Sequence, residues 1–204
     1  TSAAPNQADR VIDVKVNDGE KDSNVAVSTI TFGEAPPVID LDGDDSSGVA
    51  GNDYTAFFGA GGTAVPIADV DTGITDADDV NMQSATIILT NILDGDAESL
   101  TIGDLPAGIT ATAYDPATGT ITLTGDAPIA DYQAAIAGIT YNNTSAAPNQ
   151  ADRVIDVKVN DGETNSNVAV STITFGNAPP VIDLDGDNSS GVEGNDYTAF
   201  FGAG

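Results

Sequence analysis

The residues of this chain best suited to chemistry are aspartates, which come in short, dense groups. Asp40, Asp42 and Asp44 alternate in the stretch VIDLDGD, directly after two prolines. Alternate side chains of an extended segment point the same way, so these carboxylates are predicted to converge on one cation, with Gly43 permitting the bend. The same acids return as Asp183, Asp185 and Asp187. Oxygen ligands favour Ca²⁺, although a solvated acidic turn would have the same composition.

A second acidic group lies between Asp69 and Asp79, where five residues out of eleven are aspartates. The predicted calcium ligands of this group are Asp69, Asp71, Asp76 and Asp78. Asp161 is a further candidate, although an Asp-Gly pair in a hairpin is equally typical of a turn without a metal. The stretch from Asp94 to Glu98 is a weaker candidate. Zn²⁺ is not expected, because it prefers His and Cys ligands and the chain contains neither.

The composition of the chain limits its partners and its chemistry. Five Lys and Arg stand against 32 Asp and Glu, which gives a formal charge of −27. Nucleic acid and anionic membrane surfaces are therefore not expected as partners. Without His or Cys a hydrolase would need a tuned carboxylate pair, so we expect no enzyme. No stretch approaches the roughly 18 apolar residues of a membrane-spanning helix, so direct membrane insertion is not expected either.

The acidic groups belong to a long internal repeat. Residues 1–61 return as residues 144–204, an offset of 143. Only five positions differ between the copies: Lys21/Thr164, Asp22/Asn165, Glu34/Asn177, Asp45/Asn188 and Ala50/Glu193. A unit of this length can bury its own core, so the repeat is predicted to be a domain rather than a coil of a solenoid.

The boundaries of this domain are predicted at two matching Ala-Pro-Pro linkers, which begin at Ala35 and Ala178. Residues 36–178 are then one complete repeat. Residues 1–35 would be the C-terminal part of a preceding repeat, and residues 179–204 the N-terminal part of a following one. We therefore expect the natural molecule to continue at both ends.

Within the complete repeat, short runs rich in Val, Ile and Thr alternate with turn residues. This pattern predicts an all-β fold of tandem immunoglobulin-like or cadherin-like β-sandwiches. The only helix candidate begins at Pro128, and its apolar residues follow helical spacing. The strand runs predicted from the pattern are 54–58, 63–67, 85–90, 109–114, 118–124, 139–142, 153–160 and 168–175.

The strings VIDLDGD, ITDADD, DYQAAI, YNNTSAAPNQADR and VNDG follow one another across the complete repeat. Together they resemble the cadherin-like or immunoglobulin-like repeats of large bacterial repeats-in-toxin (RTX) adhesins and biofilm surface proteins. The resemblance implies extender domains in long arrays, calcium at the domain junctions, and type I secretion to the outside of a Gram-negative cell. The junction acids it implies are Asp40, Asp42, Asp44 and Asp161. The glycine-rich RTX nonapeptide does not occur in this chain.

These observations predict a structural spacer whose partners are neighbouring repeats and whose Asp-rich junctions are stiffened by Ca²⁺. Because Asp42 and Asp44 follow the linker, we expect their loss to loosen the junction rather than unfold the domain. One alternative is a carbohydrate-binding or cell-binding module, for which Tyr54, Phe57 and Phe58 could stack on sugars unless they pack in the core. Another is a subunit of an extracellular filament, in which other copies in the fibre complete the end repeats.

Overall fold

The computed structural model describes residues 8–59 and 62–176, together with Leu184 and Ala199. Within these residues the fold is all-β with one short helix, as predicted. The strands are β1 (Arg10–Val14), β2 (Ala26–Ile30), β3 (Val38–Asp40), β4 (Tyr54–Gly59), β5 (Val65–Pro66), β6 (Gly73–Thr75), β7 (Asn81–Leu89), β8 (Glu98–Thr101), β9 (Thr110–Ala111), β10 (Thr120–Pro128), β11 (Thr140–Asn143), β12 (Arg153–Asn160) and β13 (Ala169–Gly176). The helix α1 (Ile129–Ala137) lies between β10 and β11, and a single 3-10 turn (Gly95–Ala97) precedes β8.

Most of the strands form a sandwich of one large sheet against smaller ones. The large sheet has the order β4-β13-β12-β7-β10-β9, and the smaller sheets are β5-β11-β8 and β3-β6. The neighbours in the large sheet are antiparallel except β13 and β4, which run parallel. Phe58 of the large sheet meets Tyr141 of a smaller sheet edge to face, with ring centroids 5.6 Å apart. The apolar core therefore lies between the layers.

The large sheet buries alternate residues, as its sequence predicts. Ile155 and Val157 of β12 and Ile121 and Leu123 of β10 are fully buried, while the residues between them are half-buried. Full burial of such a side chain contributes about 1.5–3 kcal/mol relative to exposure. The apolar face predicted for β12 is thus confirmed, and an unpaired charge at Val157 would be placed in the middle of this core.

Several short elements differ from the sequence-based expectation. The predicted runs 63–67 and 109–114 contain only the two-residue strands β5 and β9. The pattern does not predict β3, β6 or β8. Strands β3 and β6 pair through Ile39 opposite Ile74, and each is only three residues long. Aspartate and glycine are uncommon in strands, so this pairing depends on tertiary contacts rather than on local preference.

The predicted helix is confirmed as α1. It buries Tyr132, Ala135 and Ile136 and packs against β6, β7 and β10. The hydroxyl of Tyr132 donates a hydrogen bond to the carbonyl oxygen of Gly125 (2.7 Å), within the irregular part of β10. The helix therefore contributes part of the apolar core.

A separate hairpin, β1–β2, repeats the hairpin β12–β13. Arg10 lies opposite Ile30 in one copy, and Arg153 lies opposite Ile173 in the other, so the register is the same. All residues of β1 and β2 are exposed, whereas β12 and β13 lie inside the large sheet. The buried core runs from Ile39 to Ile173 and does not include this first hairpin.

Candidate metal centre

The pairing of β3 with β6 brings the first two groups of predicted ligands together. Asp40 at the end of β3 lies opposite Gly73 at the start of β6. The loop that follows β3 therefore meets the loop that precedes β6. Asp42, Asp69 and Asp71 present carboxylate oxygens within 4.8 Å of one another there, and we call these three residues the loop cluster.

Asp42 is the most strongly held member of the loop cluster. Its side chain is fully buried, with Oδ1 accepting from the amide of Ser46 (3.0 Å) and Oδ2 from the amide of Ser47 (2.9 Å). Burial acts to raise the pKa of Asp42, but the hydrogen bonds from Ser47 and Ser46 outweigh it and hold the pKa below its ordinary value. Asp42 is therefore anionic, and it fixes the conformation of its own loop.

Asp71 approaches this loop from the other side. The amide of Gly43 donates to Asp71 Oδ1 (3.2 Å), and a Cβ at Gly43 would lie 3.0 Å from the backbone oxygen of Asp71. Residue 43 must therefore be glycine for its loop to approach Asp71 this closely. The non-glycine residue of the turn with a left-handed backbone conformation is Asp45, at φ 56°. Burial, together with the negative charges of Asp44 and the other two cluster members, raises the pKa of Asp71.

Asp40, Asp42 and Asp44 do not form a group of three carboxylates among the described residues, although Asp42 and Asp44 both accept from the amide of Ser46. Asp40 Oδ1 accepts from the amide of Asp42 (3.1 Å), and Asp44 Oδ1 accepts from the amide of Ser46 (3.0 Å). The reason is a turn closed by the amide of Asp45 on the carbonyl oxygen of Asp42 (3.0 Å), which ends the extended backbone that alternation requires. The equivalent residues Asp183, Asp185 and Asp187 lie outside the described residues.

The remaining predicted ligands lie at the other end of β6, beside the segment that precedes β3. Two groups of carboxylates share Asp79 there, each with oxygens within 4.8 Å of one another. One group is Asp76, Asp79 and Asp161, and the other is Glu34, Asp78 and Asp79. We call these five residues together the junction cluster. The acidic pattern of the sequence predicts Asp76, Asp78 and Asp161 as ligands, but it does not single out Asp79 or Glu34.

One atom of the junction cluster has no hydrogen-bond partner among the described residues. Asp76 Oδ1 accepts from the amides of Asp78 (3.0 Å) and Asp79 (3.1 Å). Asp76 Oδ2 is buried, and it has no hydrogen-bond partner within the described part of the chain. A buried carboxylate oxygen without a partner is costly, so it calls for an explanation.

Asp161 is fixed in the hairpin loop between β12 and β13. Its Oδ1 accepts from the amides of Glu163 and Thr164, both at 2.7 Å, and its Oδ2 accepts from the hydroxyl of Thr164 (2.8 Å). Burial acts to raise the pKa of Asp161, but these hydrogen bonds lower it overall. For Asp79, burial and the negative charges of Asp76 and Asp161 instead raise the pKa.

The segment before β3 contacts the domain through the same acids. The amide of Ala35 donates to both carboxylate oxygens of Asp78 at 3.3 Å. The pKa of Glu34 is raised, mainly by a hydrogen bond with Glu163 and to a smaller extent by burial. The only sequence signal for Glu34 is that it is one of the five positions where the two copies differ.

The acids Asp94 and Glu98, the weaker calcium candidates, have a different role. Both bind Arg153, whose side chain is fully buried. Arg153 Nη2 lies 2.7 Å from Asp94 Oδ2, and its Nε donates to Glu98 Oε1. The hydroxyl of Tyr141 also donates to Glu98 Oε1 (2.7 Å), and the guanidinium group stacks on Phe175 at 4.3 Å. These two acids therefore belong to a buried ion-pair network that holds the two layers together.

The aromatic residues considered for sugar stacking are largely withdrawn from solvent. Tyr54 is 8% exposed, Phe58 is 1% exposed, and Phe57 is half-buried. The first two residues thus pack in the core, which leaves little stacking surface at β4.

The chain matches no protein-family model, no curated protein and no solved structure. Across the described residues, no helix has both the length and the apolar character needed to cross a membrane.

Proposed function

We propose that residues 36–178 are a structural spacer domain of a tandem array, and that Ca²⁺ bound in the junction cluster stiffens the connection to the preceding segment. The partners in this proposal are neighbouring repeats of the same chain. The location, at the outside of a bacterial cell after type I secretion, follows from the resemblance to RTX adhesin repeats. The proposed role is mechanical and needs no catalytic group.

The observation that carries the proposal is the partnerless Oδ2 of Asp76. It is buried within a group that also contains Asp79 and Asp161, and like charges at this distance repel unless a cation lies among them. The ion pairs of the described residues engage Lys15 and Arg153 with other carboxylates. A cation from solution would satisfy this group, and hard oxygen ligands suit Ca²⁺.

The position of Asp79 links such a cation to the junction. Asp79 belongs both to the group with Asp161, inside the domain, and to the group with Glu34, in the preceding segment. A cation held by Asp79 would offset the repulsion between these two parts of the chain. Weak affinity, with a Kd of about 10⁻⁴–10⁻³ M, would suffice, because extracellular modules typically bind calcium in this range.

Two further observations favour a spacer over a binding module. The 61-residue stretch that occurs twice differs at only five positions, and such close similarity suits a part whose contribution is length. Tyr54 and Phe58 are buried, so they cannot provide a stacking platform for sugars.

Calorimetric titration of the chelated protein with Ca²⁺ tests the proposal. We expect saturable binding that weakens at least about tenfold in Asp79→Asn, because this substitution removes the shared carboxylate. Asp104→Asn is the matched control, since Asp104 is exposed and belongs to none of the acidic groups. Equal binding by the parent and Asp79→Asn would contradict the proposed site. Equal weakening in both variants would indicate a general charge effect.

A further inference from the structure

The strands β4 and β13 connect the two ends of the domain in the chain. They run parallel and pair over six positions, from Tyr54 opposite Ser171 to Gly59 opposite Gly176. The chain reaches β4 from the side of the first Ala-Pro-Pro linker, and it leaves β13 just before the second. A pull on the two linkers is therefore applied to β4 from its first residue and to β13 from its last.

We infer that the pair β4–β13 is a shear clamp, which gives the domain the further function of bearing tension along the chain. Parallel strands pulled from opposite ends slide along each other, so their evenly spaced hydrogen bonds are all loaded together. Strands pulled from the same end separate one hydrogen bond after another. The inference rests on the proposed spacer role for the source of the tension, whereas the clamp itself uses no bound ion.

Two threonine hydroxyls reinforce the backbone pairing of the clamp. The hydroxyl of Thr55 in β4 donates to the carbonyl oxygen of Thr172 in β13 (3.1 Å). In the other direction, the hydroxyl of Thr174 in β13 donates to the carbonyl oxygen of Ala56 in β4 (3.2 Å). Because both bonds cross from one strand to the other, sliding of the strands has to break them as well.

Further contacts hold the clamp at both of its ends. Where the pair begins, the amide of Val170 donates to Asp53 Oδ1 (2.8 Å). Where it ends, the rings of Phe58 and Phe175 lie with their centroids 5.3 Å apart, and the guanidinium group of Arg153 stacks on Phe175. The end of β13 is thus attached to the core and to the buried ion-pair network, which resist its peeling away from the sheet.

The segment between the first linker and β4 is held less strongly than the clamp. Strand β3 has three paired positions with β6 and the two hydrogen bonds between Ile39 and the side chain of Asn167. We expect β3 to detach first, which releases residues 38–53, at most about 50–60 Å of chain. Failure of the clamp then releases the chain from Tyr54 to Gly176, about 400 Å. The released length therefore identifies which element has failed.

Single-molecule force spectroscopy of the full chain in a chelator tests the clamp by changing the direction of pulling. The chain contains no cysteine, so the pair Asn52→Cys and Val168→Cys defines a second pulling axis. These positions precede β4 and β13, and this axis loads both strands from the same end. We expect a several-fold lower unfolding force along it than along the axis through the chain ends, although both release about 400 Å. The same variant pulled by its chain ends is the matched control.

A pair of variants tests the threonine hydroxyls. Thr55→Val with Thr174→Val should raise the unfolding rate under constant force at the chain ends about tenfold, because two hydrogen bonds of the clamp are lost. Thr110→Val with Thr112→Val is the matched control, since these hydroxyls bond β10 instead, away from the clamp. It should leave that rate unchanged.

Equal unfolding forces along the two axes would overturn the inference. It would also be overturned by equal effects of the two threonine variants, or by a main unfolding event that releases far less than about 400 Å. Because the clamp is measured in a chelator, its failure would leave the calcium titration of the proposed function unaffected. Absence of calcium binding in that titration would likewise leave the difference between the two axes unaffected, so the two proposals can fail separately.

Discussion

Asp42 has a different role from the one its position in the sequence suggests. It belongs to an acidic stretch that follows a linker, which indicates a solvent-facing metal ligand. In the structure its side chain is fully buried, and both of its oxygens accept amide hydrogen bonds from Ser46 and Ser47. Its loss should therefore affect the stability of the domain as well as any metal bound in the loop cluster.

We predict that Asp42→Ala lowers the free energy of unfolding by about 1–3 kcal/mol, because the hydrogen bonds from the amides of Ser46 and Ser47 to a charged, buried carboxylate are lost. Urea denaturation in the presence of a chelator measures this cost without a contribution from calcium. Asp44→Ala is the control, since Asp44 is exposed, and it should change stability by no more than about 0.5 kcal/mol. Equal stability of the two variants would mean that Asp42 does not stabilise the domain, in agreement with the junction role predicted from sequence.

The burial of Arg153 can be predicted from sequence, but its partners cannot. Strand alternation places it on the same face as Ile155 and Val157, so its burial follows from a period of two. Its partners do not follow, because Glu98 lies 55 residues earlier in the chain, in a strand that local preference does not predict. Long-range pairs such as this one need the tertiary fold.

Comparison of the two copies of the hairpin shows which features of these strands are set by local sequence and which by tertiary contacts. Both copies form the same two strands in the same register, so the hairpin is specified by its own sequence. Burial differs completely between them, because only β12–β13 has β7 and β4 on either side. The longer strands and α1 were predictable from local sequence, whereas β3 and β6, which position both acidic clusters, depend on tertiary contacts.

Strand β3 is held at its other side by one amide side chain. Asn167 Oδ1 accepts from the amide of Ile39 and its Nδ2 donates to the carbonyl oxygen of the same residue, both at 2.9 Å. This double hydrogen bond attaches the strand to the hairpin β12–β13. The position of the loop cluster thus depends on Asn167.

Asn167→Ala should free β3 and lower stability by about 1–2 kcal/mol, since two hydrogen bonds are lost and the backbone groups remain. Amide hydrogen exchange at Ile39 should accelerate about tenfold or more, and this measures the strand directly. Asn24→Ala is the matched control, because Asn24 has the same local sequence in the exposed hairpin. If exchange at Ile39 were unchanged in Asn167→Ala, the strand would be held by its pairing with β6 alone.

At the scale of the whole molecule, acidity is the dominant property. A formal charge of −27 on 204 residues gives a repulsion that any salt reduces by screening. The acidic clusters add a local repulsion, which acts together with burial to raise the pKa of Asp71 and of Asp79. Calcium would stabilise the protein both by general screening and by specific binding. A comparison with NaCl at equal ionic strength separates the two effects.

We predict that millimolar Ca²⁺ raises the melting temperature of the chelated protein more than NaCl at equal ionic strength. Each site that is specific for the native state contributes about 2.7 kcal/mol when the free ion is at 100 times its Kd, whereas Na⁺ acts by screening alone. Asp79→Asn should reduce the calcium increment and leave the NaCl increment unchanged, and Asp104→Asn should leave both unchanged. Differential scanning calorimetry of the three proteins in the two salts provides the comparison. Equal increments from Ca²⁺ and NaCl would mean that the acids form only a solvated surface, and the spacer would then have to be stiff without a bound ion.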